Sequence, residues 1–281
     1  MPNTHNADAG RTRLAADAPP PHALLRATVV RAGRSLVVLR TAGGALVPVT
    51  SPEHGLVPGG VCLGGGLRGL APRAGTTPDP GPWAAHLDGA PRVDLAVPVG
   101  AVDAHAARAL LAGALGAEPA RAGRDVMDPR PARRRAGELV AAAVAQDPRR
   151  VRTALRRLVG VGPGSTPSGD DVVVGVLAGL DRRSAGAAAT VVRGALPVLL
   201  DRTTSLSRHT LVAALRGQVA ERVHTLVEAT AAVGLVPATL AAARTWGATS
   251  GLDLAAGVAA GALAGPAQAS SCPADARRRS A

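Results

Sequence analysis

Four residue types are missing altogether: the 281 residues include no Lys, Ile, Phe or Tyr. Their codons are AT-rich and those of the abundant Ala, Gly, Pro and Arg are GC-rich, so the gap reflects a high-GC bacterial genome before it reflects function. It still removes chemistry. Without lysine there is no Walker A phosphate loop and no Schiff-base nucleophile. With only Trp83 and Trp246 as aromatics, the stacking surfaces of single-strand nucleic-acid readers are absent. The net charge of +12, all of whose basic residues are arginine, therefore reads as an Arg-coated surface, and nucleic acid is set aside as a partner. Two distant cysteines, Cys62 and Cys272, give neither a disulfide framework nor a thiolate metal site, and fit a reducing cytoplasm. No histidine pair has H-x-x-x-H spacing, and no G-x-S-x-G elbow supports a serine hydrolase. The first twenty residues lack an apolar core, so no secretory signal is expected. The longest apolar stretch, Ala185 to Leu200, is broken by Arg193 and Pro197, so no membrane span is expected.

What is present divides the chain. Residues 1–21 are polar and Pro-rich and, like residues 269–281 with Arg277-Arg278-Arg279, are expected to be disordered. Between 22 and 100, Val-rich runs such as Thr28-Val29-Val30 and Leu36-Val37-Val38-Leu39 alternate with Gly turns, predicting a small β-rich, barrel-like domain. From 101 to 268 the spacing is helical. Asp147-Pro148 is an N-cap and N1 pair before a helix with Val151, Leu155 and Leu158 on one face and five arginines on the other. Further helices fit Ala136 to Ala145, Asp171 to Leu180, Ala187 to Leu200, Leu206 to Arg216, Val219 to Ala232, Pro237 to Arg244 and Asp253 to Leu263. The fold class is α+β, a β-rich domain followed by a larger all-α domain. The run Arg133-Arg134-Arg135 is a candidate partner surface.

The densest chemistry lies in Gly162-Pro163-Gly164-Ser165-Thr166-Pro167-Ser168-Gly169-Asp170-Asp171, a rigid loop feeding a helix. Part of it recurs 82 residues later: Ser168-Gly169-x-Asp171-x-x-x-Gly175-Val176-x-Ala178-Gly179 matches Ser250-Gly251-x-Asp253-x-x-x-Gly257-Val258-x-Ala260-Gly261. The glycines sit four apart on one face and let another backbone approach. Ser with an acid three residues on is also a capping box, which needs no ligand. Between the copies, Arg202-Thr203-Thr204-Ser205-Leu206-Ser207-Arg208 offers hydroxyls at a helix start, suited to an anion. If the two repeat helices run parallel, Ser168, Asp171, Ser250 and Asp253 meet at one pocket closed by Thr203 to Ser207; if antiparallel, they lie on the order of 15 Å apart.

At these residues the sequence resembles the AllH-like family, named for a subunit of oxamate carbamoyltransferase. The resemblance is carried by Gly162-Pro163-Gly164-x-Thr166-Pro167-Ser168-Gly169-Asp170-Asp171, by Thr203-Thr204 with Ser207, Leu211, Ala214 and Gly217, and by Thr249-Ser250-Gly251-x-Asp253-x-x-x-Gly257. Weaker similarity includes Pro82-Trp83, so most of residues 25–265 is covered. Ser165 and Val172-Val173 stand where family members often have larger apolar residues.

The resemblance implies a cytoplasmic subunit that works with two others to interconvert oxamate plus carbamoyl phosphate with oxalurate plus phosphate, in allantoin and purine catabolism. On this reading Asp170 and Asp171 are the catalytic candidates. Gly162, Gly164, Thr166, Ser168, Gly169, Thr203, Thr204, Ser207, Thr249, Ser250 and Asp253 are the substrate-binding candidates. No cofactor is fixed; Mg²⁺ held through water by Asp170 or Asp171 would reconcile the acids with an anionic substrate. The alternative is a non-catalytic small-anion-binding or assembly subunit.

Overall fold

A computed structural model describes residues 10–33, 35–67, 73–78, 80–116 and 128–265. The expected tail, 269–281, and the first nine residues of the expected leader lie outside them.

Six strands form the N-terminal sheet: β1 (Arg13–Ala15), β2 (Thr28–Ala32), β3 (Leu36–Arg40), β4 (Leu46–Thr50), β5 (Val61–Cys62) and β6 (Arg92–Val93). Their order is β2-β3-β4-β5-β1-β6, with β2 to β4 an antiparallel meander and β4–β5 and β1–β6 parallel. The order is linear, with β2 and β6 at its ends, so the barrel-like expectation resolves as an open mixed sheet. Val29, Val37, Leu39, Val47, Val49 and Val61 are buried at its core. Two short helices flank it, α1 (Pro21–Leu24) and α2 (Pro80–Leu87). Trp83 of α2 is fully buried, and its indole N–H donates to the Leu24 carbonyl at 3.2 Å, the partner a buried tryptophan requires.

β1 falls in the stretch expected to be disordered. Composition misled there because the strand's support is remote: Leu14 and Ala15 are buried between β5 and β6, and Arg13 pairs with Glu221, far along the chain.

The rest is helical, as expected: α3 (Ala104–Gly116), α4 (Arg130–Val144), α5 (Pro148–Arg156), α6 (Ser168–Arg182), α7 (Gly186–Ala195), α8 (Ser205–Leu215), α9 (Glu221–Ala229), α10 (Val236–Ala243) and α11 (Ser250–Ala262). Asp147 caps α5 by accepting from the Arg149 and Arg150 N–H groups, both at 3.0 Å, and the arginines of α5 are exposed. Pro197 ends α7 early, since it cannot donate to the helix ladder; Pro197–Arg202 continues as a 3₁₀ turn rather than to Leu200 in one helix.

Every residue of α6 from Ser168 to Leu180 is buried, which makes α6 the central helix of this part. Its most extensive neighbour is α11. The four repeat glycines make that contact. A Cβ on Gly175 would lie 2.4 Å from the Leu254 carbonyl oxygen, and one on Gly257 would lie 2.3 Å from that of Val172. One step further, Gly179 faces the Val258 carbonyl at 2.2 Å and Gly261 that of Val176 at 2.4 Å. Contacts that advance together along both helices mean that α6 and α11 run parallel.

The sheet docks where α8 passes into α9. Val97 N–H donates to the Gly217 carbonyl (2.9 Å), Val219 N–H to that of Leu95 (3.0 Å), and Leu56 N–H to the Glu221 carboxylate (2.8 Å). His209 Nε2–H donates to the Pro58 carbonyl at 2.8 Å.

Candidate functional site

The parallel arrangement brings the starts of α6 and α11 side by side, and local backbone freedom lets each start sit tight against what precedes it. Gly169, second in α6, faces the Leu158 carbonyl oxygen so closely that a Cβ would lie 2.0 Å from it; Gly251, second in α11, stands in the same relation to Ala243, also at 2.0 Å. Gly162 has φ +126° and a Cβ there would lie 2.6 Å from the Ser168 nitrogen, so only glycine lets the loop fold back over the helix start.

The two serines do not form capping boxes with their own helices. The N-cap positions are Pro167 and Thr249, and neither makes a side-chain cap bond. The hydroxyls instead cross between copies: Thr166 pairs with Ser250 at 3.2 Å, and Ser168 pairs with Thr249 at 3.1 Å. Beneath this hydroxyl layer lie the buried carboxylates Asp171 and Asp253, each facing a serine of the other helix as well as a threonine.

The two acids differ in charge partner. Asp253 accepts from Arg133 Nε at 2.6 Å, both side chains fully buried, and Arg133 Nη1 also donates to the Ala114 carbonyl at 2.9 Å. Burial raises the Asp253 carboxyl above its ordinary range, and Arg133 offsets part of that rise. Among the described residues Asp171 has no such cation. Burial pushes its carboxyl well above the ordinary value, the negative charges of Asp253 and Asp170 add to the rise, and the Ser250 and Thr166 hydroxyls oppose it. The Oδ2 atoms of both Asp171 and Asp253 are buried without a hydrogen-bond partner.

Asp170 faces elsewhere. Fully buried, it accepts from the Gly160 N–H at 2.8 Å, from the Ser207 hydroxyl at 2.7 Å and from the Thr203 hydroxyl. It thereby ties the glycine loop to the start of α8. Thr204 completes the tie as the α8 N-cap: it accepts from Ser207 N–H at 3.1 Å and donates to the Ser165 carbonyl at 2.5 Å. With both oxygens engaged by protein donors, Asp170 is an organiser of the loop, and the open lone pairs belong to Asp171 and Asp253. Among the described residues no group of three His, Cys, Asp or Glu side chains is set to hold a metal.

All thirteen candidate residues therefore lie in one connected region: Thr166, Ser168, Asp171, Thr249, Ser250 and Asp253 at the paired helix starts; Asp170, Thr203, Thr204 and Ser207 at the α8 latch; Gly162, Gly164 and Gly169 in the loop and first turn between them. Arg133 is the residue that sequence reasoning misplaced. The Arg133-Arg134-Arg135 run is no uniform surface, since Arg133 is 1% exposed. The available signal was periodicity: Arg133 precedes Ala136 by three and Val140 by seven, on the buried face of α4.

Residues 158–262 match the family model described as oxamate carbamoyltransferase subunit AllH. No curated protein and no solved structure matches the chain. The matched span takes in all three loops and the α6–α11 pair, and leaves out the sheet and Arg133.

Proposed function

We propose that this chain, with its AllH-matching helical core, is a cytoplasmic subunit of an oxamate carbamoyltransferase-type complex, and that the paired starts of α6 and α11 form its substrate site. The observation that carries this is the pair of buried, unpartnered carboxylate oxygens beneath a layer of four hydroxyls, all inside the matched span. Buried acceptors without donors cost free energy and call for an N–H-bearing or cationic group. A primary amide supplies two N–H donors, and the carboxylate that oxamate carries beside its amide would take the hydroxyls and the backbone N–H groups of the two helix starts.

In the forward reaction the oxamate amide nitrogen attacks the carbonyl carbon of carbamoyl phosphate. A C–N bond forms as the C–O bond to phosphate breaks, phosphate leaves with the electron pair, and one amide proton must leave nitrogen. Asp171 accepts it: a carboxylate whose pKa is raised by burial is a stronger base, when ionised, than an exposed one. Asp253, held by Arg133, orients the second N–H.

Reconstitution with the other two subunits tests this. Oxamate-dependent release of phosphate from carbamoyl phosphate should require this chain and fall at least about a hundredfold in Asp171→Asn, the usual range for removing a general base. Full turnover in Asp171→Asn, or in a complex lacking this chain, would overturn the catalytic assignment. One observation favours the second reading, an assembly subunit: the hydroxyls already satisfy one another across the helix pair. In that case Ser250→Ala and Thr166→Val would loosen the complex and leave turnover per assembled complex unchanged.

A further inference from the structure

A second feature lies on the other side of the glycine loop. Between the face of the sheet and the start of α8 is an open cleft of about 530 Å³, lined on the sheet side by Arg31 and Arg40 and opposite them by Gly164, Ser165, Thr204 and Ser205. Strand register puts the two arginines together. Arg31 of β2 stands opposite Val38 of β3, and Arg40 lies two residues beyond Val38, so both side chains leave the same face of the sheet. Both arginines are exposed, and neither makes an ion pair or side-chain hydrogen bond among the described residues.

The cleft wall contains no acidic residue. Asp170, close in sequence, is turned into the protein by Gly160, Thr203 and Ser207, so the repulsion that a carboxylate would offer an anion at this loop is removed. Two full positive charges brought from a separate part of the chain define the cleft electrically.

We infer that this cleft is a phosphoryl-binding subsite, with Arg31 and Arg40 as its charge-bearing residues. Two guanidinium groups match a dianion rather than a single carboxylate. The glycine loop links the cleft to the hydroxyl layer: Ser165 lines the cleft, and the next residue, Thr166, pairs with Ser250. The anion site stands on the cleft alone; naming the ligand as the phosphoryl end of carbamoyl phosphate rests on the proposed function.

The test is titration of the full chain with inorganic phosphate at low salt, followed by ³¹P NMR and calorimetry. Arg31→Ala and Arg40→Ala should each weaken binding about tenfold, the worth of one charge-assisted hydrogen bond, and the double variant should abolish it. Arg31→Lys/Arg40→Lys, which keeps the charge and loses the planar fork, should bind at an intermediate level. All are expected to melt with the parent, since both side chains are exposed. Phosphate binding unchanged in the double alanine variant would overturn the inference, as would oxamate binding that depends on these arginines and is not displaced by phosphate. The two proposals separate cleanly. Arginine-dependent phosphate binding in a complex without carbamoyl transfer would leave the subsite standing and remove the assigned reaction. Carbamoyl transfer with an unchanged KM for carbamoyl phosphate in the double variant would remove the subsite alone.

Discussion

Asp171 and Asp253 occupy equivalent positions on α6 and α11, yet among the described residues only Asp253 has a buried cation beside it. That difference divides their roles. Asp253→Ala strands Arg133 in the core and should cost about 3–5 kcal/mol in urea denaturation. Asp171→Asn removes no ion pair and should cost no stability while lowering turnover. Equal losses of stability in the two variants would mean that Arg133 carries no net charge coupling to Asp253. The pH dependence follows from the direction of the Asp171 shift. A carboxyl whose pKa is raised on folding binds its proton more tightly in the native state, so its contribution is favourable at low pH and is lost as pH rises from the unfolded value near 3.8 through the raised native one. Urea midpoints of the parent should therefore fall relative to those of Asp171→Asn across that window; parallel curves would show that Asp171 ionises normally. The Ser and Asp positions of this cluster were legible in the repeat. Their bonding was not, because a sequence repeat suggests capping within each helix and says nothing of hydroxyls exchanged between helices. Arg133 was hidden for a related reason: among three consecutive arginines, only helix phase distinguishes the buried one.

At the level of elements, the glycine spacing predicted the α6–α11 contact but could not choose between parallel and antiparallel, since both orientations use the same small-residue face. The carbonyls of Val172 and Leu254 settle it. Gly175→Ala or Gly257→Ala drives a methyl group into a facing carbonyl and should cost about 1–3 kcal/mol, or more if the helices cannot part. Parting them would also pull Thr166 from Ser250, so turnover should drop further than stability. Gly194 supplies the control. It lies within α7 with nothing inside 4 Å of a Cβ, so Gly194→Ala should be neutral or stabilise by up to about 1 kcal/mol. Thermal melts of the three variants check the ranking, and a destabilised Gly194→Ala would undo the packing argument. The end of α7 was readable from Pro197 in principle, but the apolar run through Leu200 masked it.

For the whole molecule, the division into a sheet and a helical body was readable from the change of hydrophobic period near residue 100. Strand order and the docking surface were not, because they depend on pairs such as Arg13 with Glu221 that no local pattern connects. Glu221 serves both Arg13 and the Leu56 N–H, so Glu221→Ala removes two contacts at once. It should destabilise by about 1–3 kcal/mol and make the sheet more susceptible to limited proteolysis than the helices; uniform cleavage would argue that the two parts open together. The phosphoryl cleft sits on this same seam, so Glu221→Ala should weaken phosphate binding without touching either arginine.

The pairing of α6 with α11 also bears on how the molecule is made. During synthesis α6 leaves the ribosome long before α11, with every residue from Ser168 to Leu180 destined for burial and its glycine face still uncovered. A nascent chain stalled before Ser250 would hold an unfinished centre, with the start of α6 still awaiting its partner helix. Closure of this helix pair is thus deferred until α11 is made, and that interval is when chaperones or proteases have most access to the chain.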